Sequence, residues 1–129
     1  MEKDNRFVVA RLDGATFEGD GLRSFFAYRD LGMKAATDGR FGAHVIRAVR
    51  PCTDGTGRHR HSLEFQFVYV LRGEVTFWYD GQGEFTLRAG DSVNQPPGIV
   101  HELLRCSADC EMLEITLPAE FETDTQPKA

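Results

Sequence analysis

The segment that decides the fold reads GRHRHSLEFQFVYVL and spans residues 57–71. Alternate residues of a β-strand point to the same face, so His59 and His61 would project side by side if the first part of this segment is a strand. Two imidazoles on one face can reach the same metal ion, and imidazole suits zinc, iron, nickel and copper. Two such histidines alone are a weak signal, so the neighbouring segments must supply the rest of a site.

Two further side chains can join the histidine pair. Residues 62–64 read as a turn, after which a strand over residues 65–71 runs back and brings Gln66 beside the pair. The amide oxygen of a glutamine is an acceptor and can ligate a metal as a neutral group. His101 opens a later strand, directly after a rigid Pro-Pro-Gly turn at residues 96–98. We expect His44, the remaining histidine, to be an ordinary strand residue.

Turn residues recur at short intervals between runs of aromatic and β-branched residues. Short strands spaced about 8–12 residues apart are typical of a sandwich or a barrel. Only residues 31–37 have room for one or two helical turns. The clearest hairpin joins residues 74–79 to residues 84–87 through Asp80-Gly81, because Asp-Gly is a strong hairpin signal. The sequence therefore predicts a mainly β protein.

Strand alternation also predicts which side chains form the interior. Val68 and Val70 share strand parity with Gln66 and should line the interior, whereas Tyr69 should point away from it. Phe77 and Tyr79 lie on one face of their strand, and we expect both to belong to the core.

The length and charge of the chain exclude several classes of protein. The 129 residues indicate one domain, since domains commonly have about 100–200 residues. Lys and Arg number 15 against 20 Asp and Glu, which gives a formal net charge of -5. Nucleic acid and anionic membranes favour basic surfaces, so we expect neither as a partner. No apolar run approaches the roughly 20 residues of a membrane-spanning helix.

The N-terminus, which begins MEKDN, has no apolar stretch like that of a secretory leader. We therefore expect a cytoplasmic protein. Thiols stay reduced in that compartment, so Cys52, Cys106 and Cys110 should be free.

Two spaced motifs resemble those of the cupin superfamily. In the first, a glycine precedes His-x-His, an acid or amide and a second glycine, and the matching residues are Gly57, His59, His61, Gln66 and Gly73. In the second, a glycine, a Pro-x-Gly step and a histidine stand at the family's spacing, and the matching residues are Gly90, Pro96, Gly98 and His101. Arg105 occupies the position where the second motif usually has asparagine.

The resemblance implies an all-β fold of the jelly-roll type, a double-stranded β-helix. The barrel would span residues 40–118, with residues 1–39 as edge strand and cover and residues 119–129 as a C-terminal tail. The resemblance also implies a homodimer. It further implies one divalent metal ion, whose ligands would be His59, His61, Gln66 and His101.

Three histidines and one glutamine form a neutral donor set, so a divalent ion would keep its full double charge. That charge increases Lewis acidity and lowers the pKa of a bound water. It also leaves the site without an anion that would stabilise a higher oxidation state. We therefore expect zinc, nickel, manganese or iron(II) in an isomerase, cyclase or lyase that acts on a small carbonyl or carboxylate substrate.

Two alternative functions stay open. The first is a ferrous three-histidine dioxygenase that cleaves a diketone or a substrate derived from an aromatic compound. The second is a module that binds or senses a small ligand without turnover.

Two charged residues are candidates for catalytic roles. Glu64 shares strand parity with Gln66, so it could replace that residue as a ligand or serve as a base beside the metal. Arg47 lies near the histidine strand and could clamp a substrate carboxylate through two parallel hydrogen bonds.

Overall fold

The computed structural model describes residues 5–19 and 25–126, and in those residues ten strands form two five-stranded sheets. The strands in chain order are β1 (Phe26–Asp30), β2 (Gly42–Ala48), β3 (His59–His61), β4 (Phe65–Arg72), β5 (Glu74–Tyr79), β6 (Gly83–Arg88), β7 (Ser92–Asn94), β8 (His101–Cys106), β9 (Glu111–Leu117) and β10 (Thr123–Thr125). A short helix, α1 (Met33–Ala36), lies within the segment where the sequence predicts helical turns. In this described part no helix is long and apolar enough to cross a membrane.

Each sheet is built from strands that are distant in sequence. The first sheet has the order β1-β2-β9-β4-β7 and the second has the order β10-β3-β8-β5-β6, with antiparallel neighbours throughout. The chain therefore crosses between the sheets repeatedly, as in a jelly roll. The predicted all-β class and jelly-roll architecture are confirmed.

The hydrophobic core lies between the two sheets. Val70 and Met112 come from the first sheet, Val75 and Leu103 come from the second, and all four belong to one buried cluster. The side chain of Tyr69 is 38% exposed, so it points away from the core as strand alternation predicts. Phe77 and Tyr79 are buried in the same cluster, as expected.

The hairpin of β5 and β6 forms where Asp80-Gly81 predicts it, with Tyr79 paired to Gly83. Gly73, between β4 and β5, has a positive φ of 71°. A Cβ at this position would collide with the side chains of Ser107 and Asp109 in the turn between β8 and β9. The second glycine of the first motif thus lets two turns pack against each other.

The segments on either side of the predicted barrel also form strands. β1 pairs with β2 at the edge of the first sheet, inside the segment of residues 1–39 that we expected to supply an edge strand. β10 lies inside residues 119–129, which we expected to be a tail, and it pairs with β3. The histidine strand β3 is therefore held between β8 and β10.

The core makes a first prediction about stability. Val70→Ala should lower the free energy of unfolding by about 2 kcal/mol, because it removes two methyl groups from a fully buried site. Val49→Ala removes the same groups from a side chain that is 57% exposed, and it should cost less than about 0.5 kcal/mol. Urea unfolding of both variants measures the difference, and equal losses would contradict the position of the core.

Candidate metal centre

Two strands of the second sheet bring three histidines together. His59 and His61 lie on β3, and His101 begins the neighbouring strand β8, directly opposite His59 in the register. The centroids of the three rings lie between 4.4 and 5.1 Å apart. One ligand atom from each histidine lies within 4.8 Å of the others, so the three could hold a single ion.

Hydrogen bonds define which nitrogen of each ring carries the lone pair. The Nδ1 atoms of His59 and His101 lie 2.8 and 3.0 Å from the carbonyl oxygens of Gly57 and Ile99. Because a carbonyl only accepts, both Nδ1 atoms must donate, which leaves Nε2 as the lone-pair atom. His61 Nδ1 lies 2.9 Å from the hydroxyl oxygen of Thr123, which can accept in the same way. This pattern is typical of metal-binding histidines, so the residues fit a metal ion.

His101 is also kept neutral, which metal binding requires. Burial, with a smaller contribution from the neighbouring His59 and His61, lowers the pKa of His101 to about 4 against the opposing effect of the bond to Ile99. His101 therefore carries no proton on its lone pair at neutral pH.

Gln66 lines the same cavity as the three histidines and is 4% exposed. Its Nε2 donates to the Oε2 atom of Glu114 over 2.7 Å. The other oxygen of Glu114 lies 2.8 Å from the Nε2 of His44. A row of three polar side chains therefore crosses the inner face of the first sheet.

Glu114 and His44 form a charged pair. Burial of Glu114 opposes its ionisation, but His44 and the Gln66 amide outweigh that effect and lower the pKa of the carboxyl group. Burial likewise opposes protonation of His44, but the Glu114 carboxylate raises the pKa of this histidine above 6.5. Among these polar groups of the cavity, Glu114 is the one that carries a negative charge.

A second amide lies beside His101. Gln95 is 2% exposed, and its Nε2 lies 3.4 Å from His101 Nε2. The hydroxyl of Tyr79 donates to the Oε1 of Gln95 over 2.8 Å, which directs the amide NH2 group toward the histidine. This contact agrees with a lone pair on His101 Nε2.

The three histidines and Gln66 open into a cavity of about 540 Å³ between the two sheets. Most of its wall is apolar, and the larger apolar side chains are those of Phe26, Ile46, Val68, Phe77, Met112 and Phe121. No Lys or Arg belongs to the wall, as far as the described residues 5–19 and 25–126 show. The described wall therefore has no lysine or arginine to clamp an anionic ligand.

The structure places both predicted catalytic residues outside this cavity. Glu64 is exposed in the turn before β4 and does not line the wall. Arg47 lies on the outer face of β2, where its Nε is 3.3 Å from the Oε2 of Glu111 and its guanidinium lies 3.7 Å from the ring centre of Phe17. Alternation along β2 instead turns His44 and Ile46 inward. We therefore assign no chemical role to Glu64 or Arg47.

Sequence reasoning missed several residues of the cavity. Glu114 lies two residues after the core residue Met112 on the same strand, so strand alternation directs its carboxylate inward. An inward carboxylate is a signal that could have identified Glu114 as a residue of the cavity. His44 was expected to be an ordinary strand residue, but it lines the cavity and pairs with Glu114. Phe121 and Thr123 could not be found, because their segment carries no strand signal and was expected to be a tail.

Comparison with known proteins assigns the chain to a family. Residues 46–116 match the family described as cupin domain. The chain therefore belongs to the cupin family.

The chain is similar to one curated relative and to several solved structures. It is 32% identical over 95 residues to quercetin 2,3-dioxygenase from Bacillus subtilis (strain 168), a match that covers 74% of this chain and 27% of the relative's length. The polyketide cyclase RemF from Streptomyces resistomycificus has a TM-score of 0.74 at 17% identity, covering 96% of this chain and 88% of that one. KdgF from Halomonas sp. has a TM-score of 0.71 at 16% identity, covering 88% of this chain and 96% of that one. The two structures share the fold with this chain.

The lowered pKa of His101 makes a prediction for the metal-free protein. His101 binds its proton only near pH 4 when folded but near pH 6.5 when unfolded, so the unfolded chain binds more protons between these values. The free energy of unfolding should therefore fall as the pH drops from 6.5 to 4. Urea unfolding at pH 7 and pH 5 measures this loss, which should be smaller in His101→Asn. An equal loss in both proteins would contradict the prediction.

Proposed function

We propose that this chain is a metal-dependent enzyme that acts on a neutral and largely apolar molecule bearing a carbonyl or enol oxygen. The observation that carries the proposal is the cluster of His59, His61 and His101, with Nδ1 of each ring engaged, at an apolar cavity. Gln66 is the proposed fourth ligand, through its amide oxygen. A divalent ion held by these residues would act as a Lewis acid on a coordinated oxygen.

The charge of the cavity wall supports a neutral substrate. Binding sites for carboxylates commonly use arginine, and the described wall contains no arginine or lysine. Glu114, whose two oxygens are engaged by His44 and Gln66, offers an anionic substrate no favourable contact. Of the two substrate types expected from the sequence, the carbonyl compound is therefore favoured over the carboxylate.

The apolar wall supports a ring-shaped substrate of moderate size. A cavity of about 540 Å³ falls within the usual range of small-molecule sites, about 300–1,000 Å³. Aromatic side chains such as Phe26, Phe77 and Phe121 would bury the faces and edges of a ring and exclude water from the reacting oxygen. Water exclusion strengthens every electrostatic interaction inside the site.

A second candidate function is oxidative cleavage of such a substrate by a ferrous site. The observation that favours it is the 32% identity to quercetin 2,3-dioxygenase, over 74% of this chain. The neutral donor set favours the first candidate, because it adds no anion to stabilise an oxidised metal. Both candidates require the same three histidines.

Several further expectations stay predictions. These are the identity of the metal among zinc, nickel, manganese and iron(II), the assembly of the chain into a homodimer, and a cytoplasmic location.

Metal binding gives the direct test of the site. His101→Ala should reduce the metal content of the purified protein to background, because two histidines alone bind a divalent ion weakly. Arg105→Ala, on the outer face of the same strand, should leave the content unchanged, since its exposed guanidinium lies near Glu84, outside the cavity. Elemental analysis after loading with each metal measures both variants. Equal metal in His101→Ala and the wild type would overturn the site.

Oxygen uptake separates the two candidate functions. We expect protein loaded with zinc or nickel to convert neutral phenolic ketones equally well in air and under anaerobic conditions, with no uptake of dissolved oxygen in air. An oxygen electrode with iron(II)-loaded protein and quercetin tests the alternative. Stoichiometric oxygen uptake that is abolished in His101→Ala would decide for the dioxygenase and against the non-redox enzyme.

A further inference from the structure

Glu114 is a buried carboxylate in the cavity that belongs to neither cupin motif. We propose that Glu114 is a positioning residue, which turns the Gln66 amide so that its oxygen faces the metal side. This inference rests on the metal site proposed above. It concerns the residues behind the ligands and adds no step to the reaction.

The sheet register places the residues for this role. His44 on β2 is directly opposite Glu114 on β9, and Gln66 on β4 is opposite Thr116, two residues further along β9. Glu114 and Gln66 are therefore diagonal neighbours on the inner face, a distance that long side chains can bridge. The three polar groups form one row across adjacent strands.

The chemistry of the contact determines how the amide is turned. An ionised carboxylate has only acceptors, so the Gln66 atom that lies 2.7 Å from Glu114 must be the NH2 group. The amide oxygen is then at the other end of the planar amide group and faces away from Glu114. Without the carboxylate, either end of the amide could face the cavity, and the NH2 end has no lone pair to offer a metal.

His44 completes the arrangement by engaging the second oxygen of Glu114 over 2.8 Å. The ring of Tyr28 lies edge-on against the ring of His44, with centroids 5.6 Å apart. Both oxygens of the carboxylate are thus engaged, one by the ligand amide and one by His44. The carboxylate has little freedom to rotate, which also restricts the amide that it holds.

The row places a carboxylate behind the proposed ligand Gln66 and not in contact with the metal. Where the fourth ligand of a cupin is glutamate, the anion is in direct contact with the metal. In this chain the ligand is neutral and an anion stands directly behind it. Partners of this kind behind metal ligands typically change metal affinity by 10- to 100-fold when they are removed.

Cobalt(II) binding to the full chain tests the role, because the visible spectrum of cobalt reports its ligands. Glu114→Leu should weaken cobalt affinity by about 10-fold or more in competition with a chelator, and it should shift the spectrum as Gln66→Leu does. Glu111→Leu is the matched control, since Glu111 pairs with Arg47 on the outer face of the same strand. It should change neither the affinity nor the spectrum.

The double variant Q66E/E114Q separates positioning from a general structural role. It reverses the hydrogen bond, because the amide introduced at position 114 can donate to the carboxylate introduced at position 66 and still accept from His44. We expect this variant to bind cobalt more tightly than Q66E alone, in which position 114 offers no amide to hold the new carboxylate, whereas E114Q alone, with one amide oxygen for two donors, binds more weakly than the wild type. If the double variant binds no better than Q66E alone, the positioning role is overturned.

The outcomes also separate this inference from the proposed function. If the wild type binds no cobalt, the metal site fails and the inference fails with it. If the wild type binds cobalt and Glu114→Leu leaves both affinity and spectrum unchanged while Gln66→Leu changes them, only the role of Glu114 is overturned.

Discussion

The antiparallel pairing of β3 with β8 is the interaction on which the site depends. It places His59 opposite His101, although the two residues are 42 positions apart in the chain. β10 pairs with the other side of β3 and brings Thr123 against His61. A three-residue strand would be too short to orient two histidines alone, and its neighbours on both sides supply the missing constraint.

The two sheets contribute different parts of the centre. The second sheet supplies the three histidines, and the first sheet supplies the row of His44, Glu114 and Gln66. A metal ion between them would link the two halves of the sandwich in addition to its chemical role. The apolar wall would then exclude water from the space next to the ion. The electrostatic interaction between the ion and a polarised substrate oxygen is stronger where water is excluded.

Period-two alternation accounts for what could be predicted from the sequence. It predicts that His59 and His61 share a face. It also predicts that Val68 and Val70 are buried and that Tyr69 is exposed. The spacing of the two motifs adds His101 and Gln66 as candidate ligands. Alternation also leads to Glu114, but only once the inward parity of β9 is known, and that parity depends on long-range pairing. β10 was not predictable, because a polar three-residue strand has no stability or pattern of its own and forms only where β3 offers an edge.

X-ray absorption at the zinc edge of the zinc-loaded chain tests the central claim most directly. Multiple scattering from imidazole rings counts the histidines bound to the metal, and the nearest atoms distinguish oxygen or nitrogen from sulfur. The account predicts three imidazoles and at least one further oxygen ligand, with no sulfur. Two imidazoles or fewer, or a sulfur ligand from Cys52, Cys106 or Cys110, would contradict it.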